Sequence, residues 1–380
     1  MKIQQHQYAN GEWKNSFSAP GFSQEESQLI LAFGAPDLIT RQETFNYLKN
    51  LFPKGQIVSC STAGEIIDED VHDNCIVVTA IQFEKTTIKC CVTNIKEHSN
   101  SYDIGKYLMK DLQADDLSSV FILSDGIHVN GCELADGLNE NNPRHIPVTG
   151  GLAGDGSDFN KTFAGLNRPP QEGMVVAVGF YGNNLKTGHG SFGGFDQFGP
   201  DKIITRCENN VLYEIDGKNA LEMYKEYLGP FKDELPGSAL LFPLALKMDD
   251  GSGHVVRGVK KIDEKERSML FFGNLTQGSP ARLMKGDVGK LINGSSVAAQ
   301  NAVSTMGNDS PQLALLISCV GRKLILQGRS DEEVAASKNI FGDKVPIAGF
   351  YSYGEISPLK SFSRCELHNQ TMTITTFSES

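Results

Sequence analysis

The chain has 380 residues, a formal net charge of −11 and no apolar run close to the roughly 20 residues that span a membrane. This acidic balance argues against nucleic acid as the main partner, and the N-terminal segment lacks the apolar core of a signal peptide. Eight cysteines without paired spacings are typical of free thiols in a reducing compartment. These features predict a cytoplasmic protein.

The predicted elements alternate between strands and helices along the chain. Residues 1–27 form a polar lead-in with one short strand, and the first buried strand follows at 28–33. The helix after it has an apolar face of Phe45, Leu48 and Phe52. The later elements are hairpins at 74–95 and 173–192, helices at 102–113, 219–228 and 295–306, an irregular Gly-rich loop at 190–200, and strands at 120–123, 211–217, 239–246, 254–261, 268–272, 313–318 and 370–377.

Turn residues divide the chain near Gly217. We expect a lead-in at 1–27, an α/β domain at 28–217 and a second α/β domain at 218–380, since two domains suit this length. The predicted fold class is α/β. Its two halves contain mixed sheets built from repeated strand–helix–strand units together with antiparallel hairpins.

One pattern of residues occurs three times. Each copy begins with a residue that has a hydroxyl or amide side chain, and a Glu follows three positions later. A glycine lies 24 residues after the first residue, and an acidic residue follows it directly; we call these two residues a Gly-acid pair. The copies begin at Thr40, Asn130 and Ser330, and they end at Gly64-Glu65, Gly154-Asp155 and Gly354-Glu355. The first spacing is that of a capping box, which begins a helix. Because apolar runs flank each helix, the sequence predicts three repeats of strand, capped helix, strand and Gly-acid turn.

The Gly-acid turns are the leading candidates for a ligand site. In open parallel sheets, ligands bind beyond the carboxyl ends of the strands, and all three turns are predicted to lie there. The loops that follow the first strand of each copy, at 34–39, 124–129 and 319–322, are predicted to share this rim.

Several segments resemble the FIST sensory domain, in both its N-terminal and C-terminal parts. They are SCSTAGEI at 59–66, PVTGGLAGD at 147–155, FDQFGP at 195–200, YEIDG at 213–217 with the helix at 220–229, SCVGR at 318–322, GFYSYGEISP at 349–358 and HNQT at 368–371. They follow the family order and extend over nearly the whole chain. The Trp that the family usually has after the double glycine is Phe195 here, which weakens any transfer of a stacking role.

The resemblance implies a ligand-sensing module of bacterial signal transduction, with small molecules such as amino acids as ligands. The chain has no room for an output domain, so a separate partner protein is expected to carry the output. A branch of similar length and layout contains haem proteins that sense nitric oxide and regulate histidine kinases or cyclic-di-GMP enzymes. The cofactor is therefore unknown from the sequence, with haem b as the open alternative.

The candidate ligand-binding residues share a predicted position on the rim: Cys60, Ser61, Glu65, Asp155, Arg322, Tyr351, Tyr353 and Glu355. The repeated acids either meet an ammonium group of the ligand or hydrogen-bond nearby backbone N–H groups and fix the turn. Arg322 either holds a carboxylate, such as that of an amino acid or a haem propionate, or pairs with Glu355.

Three histidines are candidates for the axial ligand of a haem iron. His189 is favoured because it precedes the loop that carries Phe192, Phe195 and Phe198, whereas His128 and His368 are the alternatives; each also suits a structural role. No Cys-x-x-Cys-His motif occurs, so a bound haem is expected to be non-covalent. The metal-like spacing of Cys365 and His368 is discounted because i and i+3 face opposite sides of a strand.

No catalytic motif points to an enzyme. The dinucleotide-binding pattern Gly-x-Gly-x-x-Gly does not occur after the first strand, and the P-loop and Gly-x-Ser-x-Gly motifs are absent. Neither Cys60 nor Cys319 has a base evident in the sequence. We therefore expect a cytoplasmic sensor that binds a small ligand in a cleft at the strand ends and regulates a separate protein. The alternatives are a haem-based nitric oxide sensor, and an enzyme that uses the same cleft.

Overall fold

The structure is a computed structural model that describes residues 1–248, 251 and 253–380. The strands within these residues are β1 (Lys2–Ala9), β2 (Glu12–Ser18), β3 (Leu29–Gly34), β4 (Gln56–Ser61), β5 (Glu65–Ile67), β6 (Asp70–His72), β7 (Ile76–Gln82), β8 (Thr87–Asn94), β9 (Leu117–Ser124), β10 (Val148–Leu152), β11 (Ala164–Leu166), β12 (Met174–Tyr181), β13 (Leu185–Phe192), β14 (Phe195–Glu208), β15 (Val211–Ile215), β16 (Lys218–Asn219), β17 (Leu244–Lys247), β18 (His254–Arg257), β19 (Val259–Asp263), β20 (Ser268–Phe271), β21 (Pro280–Gly286), β22 (Leu313–Cys319), β23 (Ile347–Ser352), β24 (Gly354–Pro358), β25 (Cys365–His368) and β26 (Met372–Glu379).

The α-helices are α1 (Pro36–Ile39), α2 (Gln42–Leu51), α3 (Ser101–Leu112), α4 (Gly131–Glu140), α5 (Ala220–Leu228), α6 (Val288–Thr305), α7 (Val320–Leu326) and α8 (Ser330–Phe341). Short 3-10 helices lie at Gln24–Glu26, Ile95–Glu97, Gly229–Glu234, Gly237–Leu241 and Gln327–Arg329. Mixed sheets with parallel pairs and antiparallel hairpins confirm the predicted α/β class. Among the described residues, no helix has the length and apolar character that crossing a membrane requires.

Three of the sheets are built around one parallel pair of strands that encloses a helix. The pairs are β3 with β4, β9 with β10 and β22 with β23. We call residues 29–61 unit one, residues 117–152 unit two and residues 313–352 unit three. A further strand, β7, β12 or β26, joins the first strand of each unit in antiparallel pairing. These units are the three predicted copies, so the repeat in the sequence is a repeat in the fold.

The three units exchange strands in a closed ring. β5 leaves unit one and pairs with β23 of unit three, β24 leaves unit three and pairs with β10 of unit two, and β11 leaves unit two and pairs with β4 of unit one. Each unit therefore has the same five-strand order: β11-β4-β3-β7-β1, β24-β10-β9-β12-β8 and β5-β23-β22-β26-β13. This cyclic exchange gives the ring a pseudo-threefold arrangement in which no unit completes its own sheet.

The inner faces of the units share one core. Every residue of β3 and of β22 is buried, as expected for parallel strands that are covered on both faces. Phe33 of unit one and Phe350 of unit three lie with ring centroids 4.8 Å apart, and Phe121 of unit two belongs to the same cluster. The helices cover the outer faces, with α2 on unit one, α3 and α4 on unit two, and α6 and α8 on unit three.

Strands β14 to β21 form a fourth, antiparallel sheet that is inserted between β13 and α6. Its strand order is β18-β17-β21-β14-β15-β20-β19, with β16 beside β15. Helix α5 packs on this sheet through Leu221 and Tyr224, which share a core with Leu212. Gly217 lies in the turn between the paired strands β15 and β16. Three of the four sheets take strands from both sides of this residue.

Only one of the three predicted capping boxes forms a helix cap. The Asn130 side chain accepts hydrogen bonds from the N–H groups of Cys132 and Glu133 and begins α4. The Thr40 hydroxyl instead donates to the Pro36 carbonyl at the end of α1, and α2 begins after Arg41 without a side-chain cap. At the third copy, Ser330 lies inside α8 rather than ahead of it. The capping-box spacing therefore predicts where the three helices occur, but it predicts the side-chain cap of only one of them.

Two local expectations are wrong. The lead-in contains two strands rather than one, and β1 lies inside the first sheet between β7 and β2. The Gly-rich segment at 190–200 is not one irregular loop, because β13 and β14 are interrupted only at residues 193–194. Backbone pairing with β26 and β21 explains this, since such pairing overrides the low strand preference of glycine.

Candidate functional site

The three Gly-acid pairs lie shortly after the returning strands, and Glu65 and Glu355 already belong to the strand that follows. Gly64 directly precedes β5, Gly154 follows β10, and Gly354 is the first residue of β24. Gly64 has a φ of +136°, a conformation that residues with a Cβ rarely adopt. These turns are the points at which the chain passes from one unit to the next.

Two of the repeated acids make equivalent contacts. Glu65 accepts hydrogen bonds from the Thr62 hydroxyl and from the N–H of Cys75, at 3.3 Å. Glu355 accepts a hydrogen bond from the Ser352 hydroxyl at 2.6 Å. Burial raises the pKa of Glu65 to about 7 and the pKa of Glu355 well above its ordinary value. Each of these two carboxyls therefore accepts a hydrogen bond from the hydroxyl of the residue three positions before it.

Asp155 fixes its turn with a different set of donors. Its Oδ2 accepts the N–H groups of Asn160 at 2.9 Å and Lys161 at 2.7 Å. Its Oδ1 accepts the hydroxyl of Tyr353, which also donates to the Gly156 carbonyl at 3.2 Å. Asp155 thus joins the turn of unit two to that of unit three.

A cavity of about 650 Å³ opens at the strand ends of unit one. Of the predicted residues, Glu65 and Asp155 line it; both are buried. We call it the acidic rim cavity. Its other charged lining residues are exposed: Asp37, Arg41, Asp73, Asp158 and Lys161. Five carboxyl groups and two cationic groups therefore face one space, which suits a ligand with an ammonium group and one anionic group.

Arg322 lies in the core, away from the acidic rim cavity. Its side chain has no exposed area, and its Nε donates to Glu333 Oε1 at 2.6 Å. The remaining guanidinium nitrogens donate to the carbonyls of Gly193, Gln370 and, at 2.8 Å, Leu291. The guanidinium is therefore occupied by protein acceptors, and its ion partner is Glu333 rather than Glu355, the partner named in one of the two alternatives.

Three further predicted residues are also part of the packed interior. Tyr351 is fully buried and donates its hydroxyl to Glu333 Oε2 at 2.8 Å. The Ser61 hydroxyl accepts the N–H of Phe163 at 2.9 Å. Cys60 is fully buried, and burial raises the pKa of its thiol. With Arg322 and Glu355, they line neither the acidic rim cavity nor the two cavities described next.

Tyr353 lines a much smaller space at the strand ends of unit three. This cavity, of about 20 Å³, is lined by residues that include Phe159, Phe272, Tyr353, Cys319, Asn369 and Gln370. We call it the aromatic cavity. Phe159 stacks on Tyr353 with centroids 4.4 Å apart. Val320 and Gly321 follow β22 as Ala35 and Pro36 follow β3, and each of these pairs lines the cavity of its own unit. The aromatic cavity therefore occupies the same position in unit three as the acidic rim cavity in unit one.

A third cavity, of about 560 Å³, lies between unit three and the inserted sheet. We call it the histidine cavity because His189, His254 and His368 line it. Phe192 and Phe195 also line it, as predicted for His189, whereas Phe198 packs against Phe242 in the core of the inserted sheet.

The three histidines of this cavity differ in how they are held. His189 is buried, and within the described residues neither of its ring nitrogens has a hydrogen bond. Burial lowers the pKa of His189 to about 4, so its imidazole is neutral near pH 7. His368 is held by the Ser357 carbonyl at 2.9 Å, and His254 is held by Gln197 at 3.2 Å. His128 lies elsewhere, paired with Asp125 at 3.1 Å.

The sequence patterns miss the structural roles of two buried carboxyl groups, Asp125 and Glu333. Asp125 has no exposed area and accepts N–H groups of Ile127, His128 and Gly173, each at 2.7 Å. Glu333 was assigned to a helix cap but forms the ion pair of the core. An acidic residue two positions after an apolar run, as Asp125 is after Val120–Leu123, was the available signal.

Cysteine and metal chemistry have little support in the geometry. All eight cysteines are free thiols. In the part of the chain that the structure describes, no group of three or more His, Cys, Asp or Glu side chains is placed to hold a metal ion.

Comparisons with known proteins agree with this arrangement. A family model of the FIST N domain matches residues 28–218, and one of the FIST C domain matches residues 220–358. The chain is also 25% identical over 282 residues to the uncharacterized protein MJ1623 of Methanocaldococcus jannaschii, which covers 66% of this chain. The chain spans about half of that relative, 52% of its length. With both domain models matched in order, the chain belongs to the FIST family of signal-transduction sensor domains.

Proposed function

We propose that this FIST protein is a cytoplasmic sensor that binds an amino-acid-like ligand in the acidic rim cavity. The observation that carries the proposal is the convergence of two repeated acids, Glu65 and Asp155, on one space of about 650 Å³. Both are buried at the turns where units meet. A ligand that contacts them therefore contacts the joints of the ring.

The charges of the cavity suit both ends of an amino acid. An ammonium group is attracted by the carboxyls of Glu65 and Asp155, and the exposed side chains of Arg41 and Lys161 are available to the carboxylate. Amino acids that lack a free ammonium group should bind more weakly. Their remaining carboxylate would face an excess of carboxyls.

Two residues, Lys323 and Tyr353, connect the cavity to unit three. Lys323 of α7 donates to the Ala63 carbonyl at 2.9 Å and pairs with Asp73, which lines the cavity. On the opposite side, the Tyr353 hydroxyl donates to Asp155. A ligand that competes for Asp73 or Asp155 changes the contacts that hold unit three. It would thereby shift the populations of two arrangements of the ring.

The output in this proposal is a change at the protein surface that a separate partner recognises. A histidine kinase or a cyclic-di-GMP enzyme is the class of partner that the family resemblance favours. Such a partner would bind one arrangement of the ring more tightly than the other, and the ligand would regulate it by that difference.

Ligand-dependent thermal unfolding tests this proposal. The twenty amino acids and their N-acetylated forms are screened against the wild-type protein, Glu65→Gln and Glu43→Gln. Glu43 is the matched control because it is an exposed glutamate of the same repeat outside the cavity. We expect stabilisation by at least one free amino acid, lost on acetylation and in Glu65→Gln but kept in Glu43→Gln. Equal stabilisation of all three proteins would refute the site.

A second candidate function is nitric oxide sensing through haem in the histidine cavity, and one observation favours it. His189 presents a neutral imidazole without a protein hydrogen bond to a space of about 560 Å³. Phe192, Phe195 and Met284 line the same space and would pack against a macrocycle, while the exposed Lys360 is available to a propionate. These residues fit a non-covalent haem b. When bound, its iron would supply the coordination site for nitric oxide.

A visible absorption spectrum of protein supplied with haem separates the two candidates. If the histidine cavity binds haem, His189→Ala shifts the Soret band and weakens haem retention, while His128→Ala leaves both unchanged because His128 lies outside the cavity. An unaltered spectrum in His189→Ala with a loss in His368→Ala would move the axial bond to His368. Absence of a Soret band in wild-type protein would eliminate the haem function.

A further inference from the structure

One long edge of a sheet has no partner among the described residues. β8 is the outermost strand of the sheet of unit two and pairs only with β12. It has eight residues, keeps one register along β12 and contains neither proline nor glycine. Within the same residues, the other strands at the ends of the sheets differ: β6, β11, β18, β19 and β25 have three to five residues, β2 pairs across a register shift, and β13 is covered by α6. Proteins usually protect such edges, so an unprotected one indicates a surface that pairs with another strand.

The hydrogen bond next to β8 shows which of its backbone groups point outward. Ile95 and Gly173 continue the register of β8 and β12, and the Ile95 N–H donates to the Gly173 carbonyl at 2.8 Å. Along an antiparallel pair, residues that bond to the partner strand alternate with residues whose backbone groups point away from it. The N–H and C=O groups of Ile88, Cys90 and Val92 therefore point outward. In the part of the chain that the structure describes, no segment outside β8 bonds to them.

Apolar side chains are partly exposed on both faces of this edge. Ile88, Cys90 and Val92 are half-buried on the face that packs against the shared core of the units. On the other face lies α3, whose Tyr107 is 47% exposed and has its ring centroid 5.3 Å from that of His98, just beyond β8. A strand that pairs with β8 would cover apolar surface as well as backbone groups.

We propose that β8 is a dimerisation strand, which pairs in antiparallel orientation with β8 of a second copy of this chain. A two-fold axis perpendicular to the sheet keeps the two faces of both copies in register, so the row of Ile88, Cys90 and Val92 meets the same row of the second copy. The two sheets become one continuous sheet. This inference does not rest on the proposed function, because β8 lines neither the acidic rim cavity nor the histidine cavity.

The charge of the strand suits pairing with itself. Lys89 is the one charged residue of β8, and like charges directly opposite each other destabilise a strand pair. With the axis at Cys90, Lys89 faces Cys91 of the second copy; with the axis at Cys91, it faces Thr93 of the second copy. Both registers keep the two lysines apart, and both place a cysteine opposite the same cysteine of the other copy.

Sedimentation equilibrium tests the dimer. We expect the wild-type protein to have twice the chain mass of 41.4 kDa. Cys90→Pro removes an outward N–H and leaves the bonds to β12 in place, so it should be monomeric, with its fold checked by circular dichroism. Cys90→Ala is the matched control, because it loses the thiol but keeps the N–H, and it should remain dimeric. A monomeric wild-type protein, or a dimeric Cys90→Pro, would overturn the proposal.

A second measurement does not depend on the proline variant. Opposite residues of an antiparallel pair have Cα atoms about 4.5–5.5 Å apart, within the range of a disulfide. Diamide oxidises two thiols to a disulfide and takes up their two protons and two electrons. We expect a disulfide-linked dimer on denaturing gels that is lost in either Cys90→Ala or Cys91→Ala and kept in Cys207→Ala, since Cys207 belongs to the inserted sheet. A wild-type protein that forms no such dimer, or a cross-link lost in Cys207→Ala, would contradict pairing through β8.

Discussion

Arg322 and Glu333 form an ion pair with no exposed side-chain area, in which Arg322 Nε lies 2.6 Å from Glu333 Oε1. Arg322 lies in α7 and Glu333 in α8, so the pair joins two successive helices of unit three. Glu333 also accepts the hydroxyls of Tyr351 and, at 3.1 Å, Ser318, both on the strands of that unit. A single carboxylate thus connects the helices to the parallel strand pair.

Removing one partner of this pair should destabilise the fold strongly. Arg322→Ala leaves a buried carboxylate without its cation, and we expect a loss of about 3–5 kcal/mol in the free energy of unfolding. Arg329→Ala is the control because Arg329 and its partner Glu332 are about half exposed. Denaturant unfolding should show a large loss for the first and little change for the second. Comparable effects would show that the buried pair has no special importance.

The close approach of units one and two at Gly154 predicts a second sensitive position. A Cβ at Gly154 would lie 2.9 Å from the backbone nitrogen of Ala63. Gly154→Ala should therefore force the two turns apart and cost about 1–3 kcal/mol. Gly328→Ala is the control, since a Cβ there meets nothing within 4 Å. Thermal unfolding that ranks Gly328→Ala as equally damaging would contradict the packing of the turns.

The pKa of Glu65 predicts how stability depends on pH. Burial raises this pKa from 4.5 to about 7, so the folded protein holds the proton more tightly than the unfolded chain does. The contribution of Glu65 to stability should therefore fall as the pH rises from 4.5 to 7, with a slope of up to about 1.4 kcal/mol per pH unit. Glu65→Gln removes this slope. Parallel stability–pH curves for the variant and the wild-type protein would show that Glu65 has an ordinary pKa when folded.

The sequence predicts the repeats because each unit contains a complete local signal. An apolar strand, a helix and a Gly-acid turn recur at fixed spacing in units one, two and three. The exchange of strands between units leaves no such signal. β5 and β24 are short strands of three and five residues, and their partners are chosen by how the three units pack together.

The sequence also identifies two of the residues that line the acidic rim cavity but misplaces Arg322. Glu65 and Asp155 follow glycines at strand ends, and that local position is enough to bring them to the rim. Arg322 occupies a similar position in the sequence. Its burial, however, depends on Glu333 of α8 and on the carbonyls of Gly193 and Leu291, which come from distant segments. Neighbours that are far apart in sequence decide whether such a side chain faces a ligand.

The most direct test of the proposed sensor site uses the amino acid that gives the largest thermal shift. Its affinity is measured by calorimetry at two pH values, one unit below and one unit above 7, because the pKa of Glu65 is about 7. If the ligand's ammonium group requires ionised Glu65, affinity should be about tenfold higher at the upper pH, because the ionised fraction of the carboxyl rises about tenfold. Glu65→Gln should bind weakly and equally at both values. Equal affinity of the wild-type protein at both pH values, or an undiminished pH response in Glu65→Gln, would contradict binding in the acidic rim cavity.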